Sequence, residues 1–234
     1  MKLIIENLKK SFASKEVLKD INFEFTSGKI YGLLGRNGAG KTTLFNCLNE
    51  DLDADAGQFY ILDKEKRSIE SKDIGYVLST PVVPEFLTGR EFLKFFIDIN
   101  KENIEDLKSI DEYFDLIKID EDDRDKLMKD YSHGMKNKMQ MLAHIIANPS
   151  ILLLDEPLTS FDVVVAEEMK TLLKHLKKGH ILIFSTHILE LALDLCDEIV
   201  VLNNGILESI DKSNMDNTKF KEKIIDVLKG EDNA

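Results

Sequence analysis

The sequence has few cysteines, no apolar run long enough to cross a membrane, and less basic than acidic charge. Its two cysteines, Cys47 and Cys196, stand in apolar helical patterns, so we expect buried thiols in a reducing compartment and no disulfide framework. No apolar stretch reaches the length of a bilayer span, and the first residues lack the apolar core of a signal peptide. We therefore expect a cytosolic protein, which would work at a membrane only if another chain supplied the spans.

Basic residues are outnumbered. Lysine and arginine total 31 against 43 acidic residues, which gives a net charge of −12. Because a nucleic-acid backbone requires a basic footprint on the protein, this balance argues against nucleic acid as the main partner. The 234 residues contain no internal repeat and no low-complexity linker, and they are enough for one large domain or two small ones.

Glycine, in contrast, is concentrated in one segment. Four of the 12 glycines fall between Gly32 and Gly40, and residues 35–42 fit the phosphate-binding pattern G-x-x-x-x-G-K-S/T. An apolar strand precedes the segment and a helical pattern follows it, so backbone N–H groups would face phosphate oxygens. Lys41 would reach the β- and γ-phosphates, and Thr42 would ligate Mg²⁺. The predicted nucleotide-binding residues of this loop are Gly35, Asn37, Gly38, Ala39, Gly40, Lys41, Thr42 and Thr43.

Apolar patterning divides the rest of the chain into strands and helices. Alternating apolar residues in segment 3–25 predict half-buried strands near the N-terminus. Apolar runs at 151–154, 181–184 and 198–202, with helical patterns between them, indicate an α/β arrangement with a parallel sheet.

The middle of the chain has a helical pattern. Thr88 and Glu91 are spaced as a capping box at the start of a helix. Apolar residues at i, i+3, i+4 and i+7 then predict the buried face of this helix: Phe92, Phe95, Phe96 and Ile99. The acidic segment 110–124 is predicted to be a second helix, and 132–147 a longer third one.

Polar side chains follow two of the predicted parallel strands. Asp155 and Glu156 end the apolar run 151–154, and His187 follows the run 181–184. Such strands deliver the residues after them to one edge of the sheet, where ligands bind. Asp155 would hold Mg²⁺ through water and Glu156 would polarise the water that attacks a nucleotide phosphate. His187 would contact the γ-phosphate and that water; the other interpretation is a hydrogen-bonded histidine at a strand end.

Together these motifs resemble the ATP-binding subunits of ABC transporters, over essentially the whole chain. Five elements follow in the order of that family: the phosphate loop, a signature-like segment at 131–135, the strand ending in Asp155 and Glu156, segment 160–162 at the D-loop place, and His187 at the switch place. The resemblance implies one domain of residues 1–234, with a P-loop NTPase core around a parallel sheet. It also implies an N-terminal antiparallel β subdomain and an inserted α-helical subdomain at about 84–147.

One position matches the family only in type, and two others depart from its pattern. Phe12 stands where the family places an aromatic that stacks on adenine; a core phenylalanine at a strand end is the alternative. The signature reads Tyr-Ser-His-Gly-Met, which keeps Ser132 and Gly134 for phosphate binding from an opposite subunit but adds the bulk of His133. Ser79 falls on the place of a metal-site glutamine, where it would bind a metal-bound water; a local shift of register is the other explanation.

The resemblance implies an ATPase that uses ATP and Mg²⁺, with Glu156, His187 and Lys41 as catalytic residues. The chain would dimerise around ATP with a second copy or a homologous ATPase subunit. It would power separate transmembrane permease subunits at the cytoplasmic face of the cell membrane. The form of the signature resembles an exporter branch that handles drugs, bacteriocins or polymers, so we expect export.

Three alternatives remain at this level. The first is a non-transport ABC ATPase that acts on ribosomes or DNA, which the acidic charge disfavours. The second is a P-loop kinase or GTPase, which leaves the signature-like segment unexplained. The third is an ATP-binding subunit with weak hydrolysis, which Ser79 and His133 favour.

Overall fold

The computed structural model describes residues 1–102, 104, 107–159, 161–210 and 217–229. The strands are, in chain order, β1 (Lys2–Phe12), β2 (Lys15–Thr26), β3 (Lys29–Leu34), β4 (Ala56–Leu62), β5 (Lys66–Arg67), β6 (Ile74–Val77), β7 (Ile151–Asp155), β8 (Ile181–Thr186), β9 (Glu198–Asn203) and β10 (Ile206–Ile210). The helices are α1 (Lys41–Leu48), α2 (Gly89–Asn100), α3 (Ile110–Leu116), α4 (Glu121–Arg124), α5 (His133–Ala147), α6 (Val163–Leu176), α7 (Leu189–Leu195) and α8 (Asn217–Lys229). Short 3-10 helices lie at Ser71–Asp73 and Met128–Asp130.

The larger sheet has the strand order β10-β9-β3-β8-β7-β6, and every neighbouring pair is parallel except β9 and β10. A parallel sheet that is covered on both faces needs apolar side chains on both, which explains the continuous apolar runs. Accordingly, every residue of β7 and β8 is buried. Strands β3, β7 and β8 end at the same edge, so the segments that follow them lie close together.

The smaller sheet is antiparallel, with the order β2-β1-β4-β5. One hydrophobic cluster joins both sheets and α1: it contains Leu3 of β1, Tyr31 of β3, and Leu44, Phe45 and Leu48 of α1. The predicted antiparallel β subdomain and parallel core are therefore confirmed, and α1 is held in place by the core that they share.

Helices α2, α3 and α5 have a hydrophobic cluster of their own. It includes Leu93 of α2, Phe114 of α3, Met128, and Met139 and Leu142 of α5. An inserted α-helical part is thus confirmed as a feature of the fold. Its limits at 84–147, and the division of 1–234 into a single domain, stay predictions.

The buried face of α2 differs from the prediction. Phe95 and Ile99 are 57% and 62% exposed, whereas Leu93 and Ile97 are buried. The other two predicted core residues are half-buried and pack against the edge of the helical cluster: Phe92 and Phe96. Apolar residues occupy more than one face of this helix, so their spacing fits two orientations, and packing of α2 against α5 selects the one with Leu93 inside.

The ends of the helices agree better with the sequence. Thr88 and Glu91 form the expected capping box, and Ser132 caps α5 by accepting the N–H of Met135 at 3.1 Å. The prediction of a single helix at 110–124 is wrong, because the structure has the two short helices α3 and α4 there. Lys118 between them has a φ of 50°, a left-handed value with which an α-helix cannot continue.

We predict that Gly89→Ala lowers the free energy of unfolding by about 1–3 kcal/mol, the usual cost of overpacking a buried site. A Cβ at position 89 would overlap the hydroxyl of Tyr131, which donates to the backbone oxygen of Asp123 at 2.9 Å. Tyr131→Phe removes the overlapping oxygen, so the double variant should recover part of the loss. Denaturant unfolding of both single variants and the double variant measures the coupling. A double variant as unstable as the sum of the single ones would contradict this contact.

Candidate nucleotide-binding site

Residues 35–40 form the turn between β3 and α1. Gly38 and Gly40 have φ values of 80° and 105°, which favour glycine. At Gly35 a side chain would come within 2.9 Å of the backbone oxygen of Leu202. The glycines thus allow a tight turn directly into the first turn of α1, whose N–H groups have no partner within the helix. Such a loop and helix N-terminus form a site for phosphate.

The ammonium group of Lys41 folds back into this loop. Its Nζ donates to the backbone oxygens of Gly35 at 2.8 Å and Arg36 at 3.3 Å. Burial lowers the pKa of the ammonium, while the nearby charges of Glu156 and Asp155 act in the opposite direction. The charge is therefore paired with carbonyl dipoles that phosphate oxygens would replace.

Thr42 and Asp155 provide oxygen ligands beside the loop. The Thr42 hydroxyl donates to Oδ2 of Asp155 at 3.0 Å, and the Asp155 side chain is buried. A hydroxyl and a carboxylate are hard oxygen donors of the kind that Mg²⁺ binds with several waters retained. The donor set therefore fits Mg²⁺.

Glu156 and His187 meet at the same edge of the sheet. His187 Nδ1 lies 2.8 Å from Oε1 of Glu156. Glu156 has a left-handed φ of 48°, and its N–H is bonded to both the backbone oxygen and the hydroxyl of Ser185, each at 3.2 Å. The half-buried carboxylate of Glu156 is thus held by the more exposed imidazole of His187.

One cavity of about 370 Å³ joins the phosphate loop to these carboxylates, a volume within the usual range for small-molecule sites. Phe12 and Val17 form its apolar side. Phe12 is 48% exposed and carries the Lys10 ammonium 5.7 Å from its ring centre, so the alternative of a core phenylalanine is wrong. The half-exposed ring therefore lines the cavity.

Ser79 also lines the cavity, in the bend that follows β6. The buried side chain of Gln140, on α5, holds both ends of this bend. Its Oε1 accepts the N–H of Val82 at 2.8 Å, and its Nε2 donates to the backbone oxygen of Leu78 at 3.2 Å. The bend that carries Ser79 is thus fastened to α5.

Comparison with known proteins identifies the family of this fold. The family model described as ABC transporter matches residues 18–159. The chain belongs to the ABC transporter family. It is accordingly an ATP-binding domain and an ATPase, and the alternative of a P-loop kinase or GTPase is wrong. Among the described residues, no helix is both long and apolar enough to cross a bilayer.

Individual relatives of this ABC ATPase agree over most of the chain. An uncharacterized ABC transporter ATP-binding protein of Methanocaldococcus jannaschii is 36% identical over 206 residues, 87% of this chain and 75% of the relative. A sulfate/thiosulfate import ATP-binding protein of Synechocystis is 33% identical over 215 residues, 90% of this chain and 60% of the relative. A dimeric ATP-binding cassette bound to ADP and Pi has the same fold, with a TM-score of 0.74 at 21% identity over 89% of this chain and 99% of its own. Import proteins among the relatives leave the expectation of export without support.

The structure brings most of the predicted site residues of the ABC ATPase together. Those that line the cavity are Phe12, Asn37, Gly38, Gly40, Lys41, Thr42, Thr43, Ser79, Asp155 and Glu156. Gly35 and Ala39 belong to the same loop, and His187 contacts Glu156. Ser132 and Gly134 are elsewhere, at the exposed start of α5, where Ser132 caps the helix. Ser160, at the D-loop place, lies outside the described residues.

Sequence reasoning missed Ser185 and Val17. Ser185 is fully buried in β8, and its hydroxyl donates to Oδ1 of Asp155. A serine directly after the apolar run Ile181 to Phe184 is the available signal, but the register that places it beside Asp155 is not visible in the sequence. Val17 has no sequence feature that indicates a functional role, since an apolar residue in β2 is equally compatible with core packing.

Proposed function

We propose that this ABC ATPase hydrolyses ATP in a pair of ATP-binding domains and powers transport by separate transmembrane subunits. One observation carries the pairing. The cavity contains the phosphate loop, Asp155 and Glu156, whereas the exposed Ser132 and the half-buried Gly134 lie outside it at the start of α5. One copy therefore offers half of a site at each of two places, and a second copy or a homologous subunit would complete both. The dimer described for the ADP-bound structural relative supports this arrangement.

The residues of the cavity divide the chemistry among them. Phe12 stacks on the adenine, and the loop with Lys41 binds the phosphates after Lys41 exchanges the carbonyl of Gly35 for phosphate oxygens. Thr42 and Asp155 would hold Mg²⁺, which would neutralise charge on the phosphate oxygens, and Ser79 would bind a water of the metal.

Glu156 and His187 act on the attacking water in this proposal. Glu156 accepts a proton from the water, and the 2.8 Å contact with His187 orients the carboxylate. Because the contact is made by Nδ1, the other ring nitrogen of His187 is left to face the γ-phosphate. In a completed site, Ser132 and the N–H groups at the start of α5 would bind the γ-phosphate of the opposite copy.

The transmembrane subunits would contact the helical part of the chain from the cytoplasmic side of the membrane. Phe95 and Ile99 lie four residues apart on one face of α2, and Val82 and Phe86 precede that helix. All four are exposed large apolar side chains, which are typical of an interaction surface. The proposal covers transport without a direction, since import proteins are among the relatives.

The pairing is tested by the oligomeric state in a background that cannot hydrolyse ATP. With Glu156→Gln, we expect ATP to shift the protein from monomer to dimer in size-exclusion chromatography with light scattering. Adding Ser132→Arg should abolish the dimer, because a long cation replaces the small phosphate-binding side chain, while ATP binding to the monomer remains.

Ser109→Arg is the matched control. Ser109 caps α3 by accepting the N–H of Glu112 at 3.2 Å, as Ser132 caps α5, so both variants lose a cap of the same kind. Only the Ser132 variant should lose the dimer. A protein that stays monomeric with ATP, or equal effects of the two arginines, would contradict the proposed pairing.

A further inference from the structure

The hydroxyl of Ser185 connects the two acidic residues of the site. Ser185 is in β8, directly opposite Asp155 of β7 in the parallel register. Its Oγ donates to Oδ1 of Asp155 and accepts the N–H of Glu156 at 3.2 Å. One fully buried side chain thus uses both its donor and an acceptor on neighbouring residues that have different proposed roles.

On Asp155, this contact leaves each carboxylate oxygen with one hydroxyl donor. Oδ1 accepts from Ser185, and Oδ2 accepts from Thr42 at 3.0 Å. Donors on both oxygens restrain rotation of the carboxylate and keep Oδ2 toward the phosphate loop. Without Ser185, Oδ1 would be a buried carboxylate oxygen that has lost its donor, and rotation of the group would become the way to recover one.

On Glu156, the contact fixes the backbone. Its φ of 48° is unfavourable for a residue with a side chain and persists only where the surroundings determine it. The backbone oxygen and the hydroxyl of Ser185 together hold the Glu156 N–H. This bend turns the chain after β7, so that the Glu156 side chain reaches His187 while Asp155 reaches Thr42.

We propose that Ser185 is a positioning residue for ATP hydrolysis, whose hydroxyl orients the Asp155 carboxylate and holds the backbone bend that directs Glu156. The proposal rests on the proposed roles of Asp155 and Glu156. Groups that orient the ligands of a metal site typically change metal affinity or activity by about 10–100-fold when they are removed. A purely structural serine would instead affect stability alone.

The test compares Ser185→Ala with Ser185→Thr, which keeps the hydroxyl, and with Ile183→Val as a control. Ile183 is two residues earlier on the same face of β8 and is equally buried, so its truncation disturbs the core without touching the carboxylates. Ser185→Ala should lower kcat by about 10–100-fold and raise the Mg²⁺ concentration needed for half-maximal rate. Affinity for a fluorescent ATP analogue in EDTA should stay within about twofold of the wild type, because the phosphate loop is unchanged.

A readout without turnover comes from hydrogen exchange of the nucleotide-free protein. The Glu156 amide should exchange faster in Ser185→Ala than in the wild type and in Ile183→Val, because it has lost one of its two acceptors. Ser185→Thr should restore both kcat and protection. If its extra methyl group lowers the melting temperature below that of Ser185→Ala, Ser185→Cys replaces it and should fall between alanine and wild type.

Wild-type kcat in Ser185→Ala would overturn the proposal, as would equal losses in Ser185→Ala and Ile183→Val. These outcomes are separable from a failure of the proposed function. If Glu156→Gln abolishes hydrolysis while Ser185→Ala hydrolyses ATP at the wild-type rate, only the positioning role of Ser185 is refuted. If Glu156→Gln itself hydrolyses ATP normally, the assigned role of Glu156 is refuted first.

Discussion

Glu156→Gln should lower the rate of ATP hydrolysis by about 10²–10⁴-fold, the usual contribution of a general base. Glutamine keeps the size of the side chain but cannot accept a proton from water. The backbone bend at Glu156 depends on its N–H and on Ser185, so the substitution leaves the shape of the site intact. ATP affinity should therefore change little, and bound ATP should persist. Steady-state phosphate release and equilibrium ATP binding measure the two effects separately.

Two further variants sharpen this test. Glu156→Asp keeps the carboxylate but shortens the side chain, so it should lose the 2.8 Å contact with His187 and retain only part of the rate. Glu190→Gln removes an exposed acid nearby, whose carboxylate pairs with Lys221 at 3.4 Å, and should leave hydrolysis unchanged. Undiminished hydrolysis in Glu156→Gln would remove this residue from the role of base.

Lys41→Met should weaken ATP binding by about 10–150-fold, which corresponds to the loss of a charge-assisted hydrogen bond of about 1.5–3 kcal/mol. Methionine fills a similar volume but has no charge for the phosphates. The nucleotide-free protein should be no less stable than the wild type, since burial already opposes the charged form and lowers the pKa of Lys41. Titration with an ATP analogue and denaturant unfolding check the two halves of this prediction.

Lys138→Met is the matched control for the lysine. Lys138 is also buried, its Nζ donates to the backbone oxygen of Lys118 at 3.0 Å, and burial lowers its pKa in the same way. It does not line the nucleotide cavity. Loss of ATP binding in both variants would point to a general effect of buried lysines, and unchanged binding in Lys41→Met would refute the phosphate-loop assignment.

The sequence predicts the phosphate loop and the parallel core because both are encoded locally. The glycines that permit the turn lie within six residues of one another, and strands buried on both faces are mostly apolar runs, as β7 and β8 are up to the polar residues at their ends. The edge where parallel strands end then brings Asp155 and His187 to one place without any knowledge of the distances.

What the sequence does not predict depends on packing between distant segments. The choice between Leu93 and Phe95 for the core side of α2 is decided by α5, more than 30 residues away. The break at Lys118 has no glycine or asparagine to indicate a left-handed residue. Ser185 acquires its contacts only through the register of β7 and β8, which no local pattern specifies.

The two hydrogen bonds that Gln140 makes with the bend around Ser79 affect how this bend can move. The bend can part from α5 only if a buried amide gives up both of its hydrogen bonds, which is costly. We therefore expect the bend and α5 to move together as one rigid unit. Val82 is exposed, so a partner could displace the bend there. The displacement would be transmitted from Gln140 to Ser132, about 12 Å along α5 at a rise of 1.5 Å per residue. In the proposed pair, a displacement at the surface of one copy would thus move the helix start that binds the phosphate of the other copy.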